Sequence, residues 1–199
     1  MFFTTRSSES ILSVVRERSD LFLKILGSSI FALFMCASSL SFKLWFTPVP
    51  VTLQVLGVVL SGLVLGSRWG AVSQIQYLTM GLCGLPVFSH GQAGPAVLGG
   101  PTGGYLVGFV LGAFVVGWIY ERFKCRPPYS WIAGLGGVGV VYLLGACWLM
   151  VWISMTTGKP VAFCANSAWQ LGIAPFIGID LLKVVLASGI IGAIGWFKK

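Results

Sequence analysis

Six stretches of this sequence are apolar over lengths that few soluble folds could hide. They run over about residues 21–42, 52–67, 71–88, 103–120, 131–153 and 178–197. A bilayer core about 30 Å thick is crossed by roughly 20 apolar residues in a helix. Inside that core only a helix or a closed barrel satisfies its own backbone. The pattern therefore predicts an all-α membrane protein with six transmembrane helices. The second and third segments are short and separated only by the turn GSRWG, residues 66–70, so tilt or shielding by neighbours is expected for them. Residues 21–199 form the six-helix membrane domain in this reading, and residues 1–20 a cytoplasmic N-terminal arm. Within the arm, Ile11 to Val15 suits either a short amphipathic surface helix or a mobile tail. The arm lacks the charge order and small-residue cleavage site of a signal peptide.

Composition agrees. Of 199 residues, 56% are hydrophobic and 9% charged, against roughly 25% charged in an average soluble domain. Disorder is excluded by the same numbers. The formal net charge of +8 is consequently not a nucleic-acid footprint, and no nucleic acid is expected as a partner. In a membrane protein the placement of the basic residues matters more than their sum. With the N-terminus in the cytoplasm, Arg6, Arg16, Arg18, Lys24, Arg68, Arg122, Lys124, Arg126, Lys198 and Lys199 all fall inside. Only Lys43, Lys159 and Lys183 fall toward the outside. That bias predicts a multi-pass protein of the cell membrane with both termini cytoplasmic.

The three connections on the outer side are FTPVPVTLQ (46–54), GLPVFSHGQAGPAVLGGPTGG (84–104) and SMTTGKPVAFCANSAWQLGIAPFI (154–177). They are rich in Pro, Gly and small polar residues, yet too apolar for free loops in water. Irregular backbone at membrane depth persists only when buried in protein or lining a cavity. Re-entrant outer loops that cap a ligand pocket are the expectation. The inner connections are short and basic.

Small residues recur every fourth position. Gly104, Gly108 and Gly112 line one face of the fourth segment, where intramolecular packing is the natural reading. Ser28, Ala32 and Cys36 line one face of the first, where packing inside the chain and contact with a separate membrane protein are both open.

Several chemistries find no support. GLGGVG at 134–139 has the spacing of a dinucleotide loop but lies inside an apolar helix, without the strand and acidic residue that fingerprint needs. GGPTGGY at 99–105 lacks the Lys-Ser/Thr of a phosphate loop. His90 is the only histidine, and the five cysteines form no C-x-x-C, so no metal site is expected. No nucleophile–base pair or paired carboxylates stand in the segments. No enzyme activity and no cofactor are expected.

Asp180 and Lys183 interrupt the last apolar segment. At a spacing of three they share a helix face and can pair. Either charge alone at the bilayer centre costs about 2.5–3.5 kcal/mol on insertion scales. Two readings follow: a structural ion pair, or a site where a solute with a polar head and an anionic tail meets both charges.

At these residues the sequence resembles a known family. PVPVTLQ (48–54), GLVLG (62–66), YLTMGLCGLPVF (77–88), GGPTGGYLVGF (99–109) and PFIGIDLLKVVLA (175–187) are similar to the substrate-binding subunits of biotin transporters, the BioY family. The resemblance implies a six-helix subunit of an energy-coupling-factor transporter. It implies biotin binding near the outer surface, and association with a coupling module of one transmembrane scaffold and two ATPases. For biotin in such a pocket, the chemistry of the two charges leads us to expect Asp180 to accept from the ureido N–H groups and Lys183 to meet the carboxylate or the ureido oxygen, with the division between the two ends left open. Thr52, Gln54, Gln92 and Thr102 would stand at the rim, Tyr77 and Tyr105 over the apolar ring. Gly103 and Gly104 would allow close backbone approach. The Ser28–Ala32–Cys36 stripe resembles the alanine-rich face by which such subunits dock on the scaffold. The alternatives are a subunit for another vitamin, or a structural membrane protein that transports nothing.

Overall fold

A computed structural model of the chain describes residues 5–42 and 45–197, with side chains for 18–40 and 45–194. The Ile11–Val15 side chains and Arg6, Arg16, Lys43, Lys198 and Lys199 of the sequence reading lie outside the described side chains. The helices are α1 (Thr5–Ser38), α2 (Gln54–Leu82), α3 (Gly103–Arg122), α4 (Ser130–Thr157), α5 (Ala165–Gly172) and α6 (Ile177–Phe197). A minimal antiparallel ribbon, β1 (Ser41–Phe42) with β2 (Val51–Thr52), pairs Ser41 with Thr52 and Phe42 with Val51. Among the described residues, five helices are long and apolar enough to cross a membrane: Arg18–Ser38, Gln54–Leu82, Gly103–Arg122, Pro127–Thr157 and Ile177–Ile194.

The expected second and third segments both lie in α2, and α2 is not straight. Gly66 has φ 80° and ψ −179°, a region open to glycine and closed to side chains. The two arms, 54–65 and 67–82, run antiparallel from there. A Cβ on Gly70 would stand 3.0 Å from the Gly62 Cα, although eight residues of unbroken helix span about 12 Å. Glu121 of α3 secures the reversal. Its carboxylate accepts the Ser67 backbone N–H at 2.8 Å and the Ser67 hydroxyl at 2.9 Å. It thereby satisfies an orphan donor at the start of the second arm and complements the positive end of that arm's dipole.

Glycine sets the approach of α3 to α4. A Cβ on Gly104 would come 2.5 Å from the Leu144 carbonyl, on Gly108 3.1 Å from the Val141 Cα, and on Gly112 2.7 Å from Val141 Cγ2. The four-residue stripe is an intramolecular seam. GLGGVG supplies part of the facing surface: a Cβ on Gly137 would meet the Gly112 carbonyl at 2.8 Å, and one on Gly134 would meet Val184 of α6 at 2.8 Å. Val58, Val59, Val116, Val141 and Val184 are fully or nearly fully buried where α2, α3, α4 and α6 converge.

α1 lies along the first arm of α2. Built Cβ atoms on Gly27 and Gly57 would meet Leu65 and Met35 respectively, which sets the two helices antiparallel. Ser28 and Ala32 are 0% and 1% exposed, and Cys36 is half-buried. Ser28 and Ala32 are thus buried within the chain, where small residues permit close helix approach. The outward face of α1 instead carries Phe22, Leu26, Ile30 and Leu33.

Candidate ligand-binding site

At the end of the bundle opposite Gly66, the three irregular connections close over a cavity of about 610 Å³, its mouth included. Val49, Pro50 and Thr52 come from the first connection, Phe88, Gln92, Val97 and Thr102 from the second, and Gly172 and Phe176 from the third. Each connection is tied to the helices. Thr47 donates to the Leu171 carbonyl at 2.5 Å, Trp148 Nε1 to Gly100 at 2.8 Å, and Tyr105 to Gly172 at 2.8 Å. Phe88 is wedged against Tyr77, ring edge to ring face at 5.6 Å. Pro50, Ser89, Gln92, Val97 and Thr102 also line a neighbouring, wider pocket bounded by Pro48, His90 and Pro101.

The two charges of α6 reach this cavity together. Asp180 is 4% exposed and Lys183 5%, and Lys183 Nζ lies 2.6 Å from Asp180 Oδ1. Pairing is what makes such burial tolerable. Neither charge has the other as its sole partner. Lys183 also donates to the Thr52 carbonyl oxygen at 2.5 Å, and Tyr142 of α4 donates to Asp180 Oδ2 at 2.6 Å. An ammonium has three donors and each carboxylate oxygen two lone pairs, so one Lys183 N–H and part of each carboxylate oxygen remain for a ligand.

Seven residues expected at the site line the cavity: Thr52, Gln54, Gln92, Thr102, Tyr105, Asp180 and Lys183. Three do not. Tyr77 is fully buried behind Gln54, whose Nε2 donates to it at 2.6 Å, so it does not cover a ligand ring. Gly103 and Gly104 face Leu98 and Trp148 rather than the cavity. Their missing side chains serve helix packing, because the close approach they permit is that of α4 and a neighbouring turn.

Sequence reading missed Tyr142. It sits alone in the apolar run of α4, and a buried tyrosine hydroxyl needs a partner; that need was the available signal. The apolar walls, Leu106, Phe109, Val141 and Phe176, are indistinguishable in sequence from ordinary core residues. The walls and the polar cluster together are chemically suited to a small amphiphile, with apolar surface at Phe109 and Phe176 and polar groups at Gln54, Asp180 and Lys183.

The sequence profile of the BioY family matches residues 14–197. The chain belongs to the BioY family. Among its BioY relatives, the biotin transporter BioY of Thermotoga maritima is 40% identical over 143 residues, 71% of this chain and 78% of the relative. The biotin transporter BioY of Rhodobacter capsulatus is 38% identical over 156 residues, 75% of this chain and 80% of the relative. In structure, the chain is similar to the crystallised S-component for biotin from an ECF-type ABC transporter. The TM-score is 0.75 at 27% identity, covering 88% of this chain and 92% of that one. The buried charge pair of this BioY protein, Asp180 and Lys183, lies within the stretch that the family profile spans.

Proposed function

We propose that this chain is a substrate-binding subunit that captures biotin from the outer face of the cell membrane and mediates its uptake. The observation that carries the reading is the Asp180–Lys183 pair, buried in an apolar cavity of a BioY protein whose relatives are named for biotin. Biotin offers what such a cavity can use. Its ureido ring has two N–H donors and one carbonyl, its thiophane is apolar, and its valerate ends in a carboxylate. Asp180 accepts from the ureido N–H groups and Lys183 supplies positive charge to the carboxylate or the ureido oxygen. Thr52, Gln54, Gln92, Thr102 and Tyr105 complete the wall. Both termini lie in the cytoplasm, and the two arms of α2 count as separate, short crossings, giving six. The connections 46–54 and 84–104 dip back over the solute.

The chain performs no chemistry in this reading. Energy comes from a coupling module with a transmembrane scaffold and two ATPases, and ligand or module must favour one orientation of the subunit over another. The test is binding of radiolabelled biotin to the purified protein, with thiamine and riboflavin as competitors. Saturable binding displaced by biotin alone supports the reading. Displacement by another vitamin, or no binding, rejects it.

A further inference from the structure

Tyr77 is absent from the cavity wall, yet its hydroxyl determines what one wall residue can do. The Tyr77 oxygen has two neighbours: the Gln54 amide at 2.6 Å and the Val87 carbonyl oxygen at 3.3 Å. A carbonyl only accepts, so at that contact the Tyr77 hydroxyl is the donor. The one phenolic proton therefore goes to Val87. The amide atom facing Tyr77 must then carry hydrogen, which makes it Nε2. The planar amide turns its Oε1 away from Tyr77. Gln54 lines the cavity and its amide nitrogen is taken up by Tyr77, which leaves the oxygen as the amide atom available on the cavity side.

We propose that Tyr77 is a positioning residue that locks the Gln54 amide with its oxygen toward the cavity, so that Gln54 acts on a ligand as an acceptor of N–H. The inference rests on the biotin reading and names the feature of biotin that this wall selects. The lock is stiff. The Tyr77 ring stands edge-on to Phe88, and Phe88 fills the space beside Gly81 where any Cβ would intrude. Tyr77 and Gln54 also sit on the two arms of one hairpin, held at its far end by Glu121 and Ser67. With Gln54 so fixed, the polar wall presents acceptors at Gln54 and Asp180 and a spare donor at Lys183. A cyclic urea, with two N–H groups flanking a carbonyl, is the complementary pattern. A free glutamine can flip and offer N–H instead, which blurs the choice.

The experiment measures affinities of purified protein for biotin and for the two biotins methylated at a single ureido nitrogen. Wild type is expected to bind the isomer blocked on the Gln54 side at least about tenfold more weakly than biotin. Gln54→Ala should erase that penalty for one isomer only. Tyr77→Phe keeps the ring and its contact with Phe88. It should weaken biotin about five- to tenfold and shrink the penalty for the same isomer. Added to Gln54→Ala, it should change affinity by less than about twofold, as expected when one residue acts through another. Equal cost of Tyr77→Phe in both backgrounds, or failure of Gln54→Ala to single out one isomer, overturns the proposal. Tight biotin binding with unmoved ratios overturns this inference alone, whereas absence of wild-type biotin binding overturns the biotin reading and this inference with it.

Discussion

Lys183 Nζ donates to the backbone carbonyl of Thr52, which joins the last helix to the connection that leads into α2. The same ammonium holds Asp180. One cation thus links a wall of the cavity to the segment beside it.

The charge pair separates the two readings that sequence left open. In the double variant Asp180→Lys with Lys183→Asp, both charges remain at the same spacing. The exchange keeps the mutual attraction but loses the bonds to the Thr52 carbonyl and from Tyr142, so the melting temperature in detergent should fall on either reading. A purely structural pair leaves biotin affinity of the folded fraction near that of wild type, whereas for a binding site we expect it to fall by about 100-fold or more. Single Asp180→Ala is harsher, because it leaves a buried ammonium without its counter-charge, at a cost of about 3–5 kcal/mol.

Tyr142→Phe removes the hydroxyl that donates to Asp180 Oδ2 and nothing else. Hydrogen bonds to charged groups contribute about 1.5–3 kcal/mol. We expect biotin affinity to fall between about 10- and 100-fold, measured by radioligand binding. Unchanged affinity would mean that the orientation of the carboxylate is set elsewhere.

The hairpin gives a test of fold without touching the cavity. Gly66→Ala puts a side chain at positive φ and into the Glu121 carboxylate. Residues held in such regions cost about 1–3 kcal/mol. A clearly lowered thermal midpoint in detergent is expected, with Glu121→Gln milder because one acceptor oxygen remains for Ser67.

Ala32→Leu addresses the small-residue stripe of α1. Ala32 is almost wholly buried, and overpacking a core typically costs about 1–3 kcal/mol. The variant should melt lower with no other protein present. If it melts as wild type and fails only to assemble with a coupling module, the stripe is a docking face after all.

Which of these features were legible in sequence follows from how local their causes are. Asp180 and Lys183 announced themselves because charge in an apolar run is expensive. Gly104, Gly108 and Gly112 announced a close helix approach for the same kind of reason, the absence of bulk at a fixed period. The turn at Gly66 was legible as GSRWG, but its clamp was not, since Glu121 lies far along the chain and only the fold brings it to Ser67. Small residues on α1 said that something comes near without saying what; the first arm of α2 supplies the answer, with Leu65 beside Gly27 and Gly57 beside Met35. Tyr77 and Gly103 are residue types that suit a ligand wall, but their direction depends on the fold. Helical rotation turns one behind Gln54 and the other toward Leu98.

The arms of α2 have a mechanical corollary. At 1.5 Å per residue, arms covering 54–65 and 67–82 reach only about 18 and 24 Å, against roughly 30 Å of hydrocarbon. On the proposed six-crossing reading, spans shorter than the hydrocarbon draw the bilayer thinner beside them, so a solute seated in the cavity would face a locally thinned oily barrier.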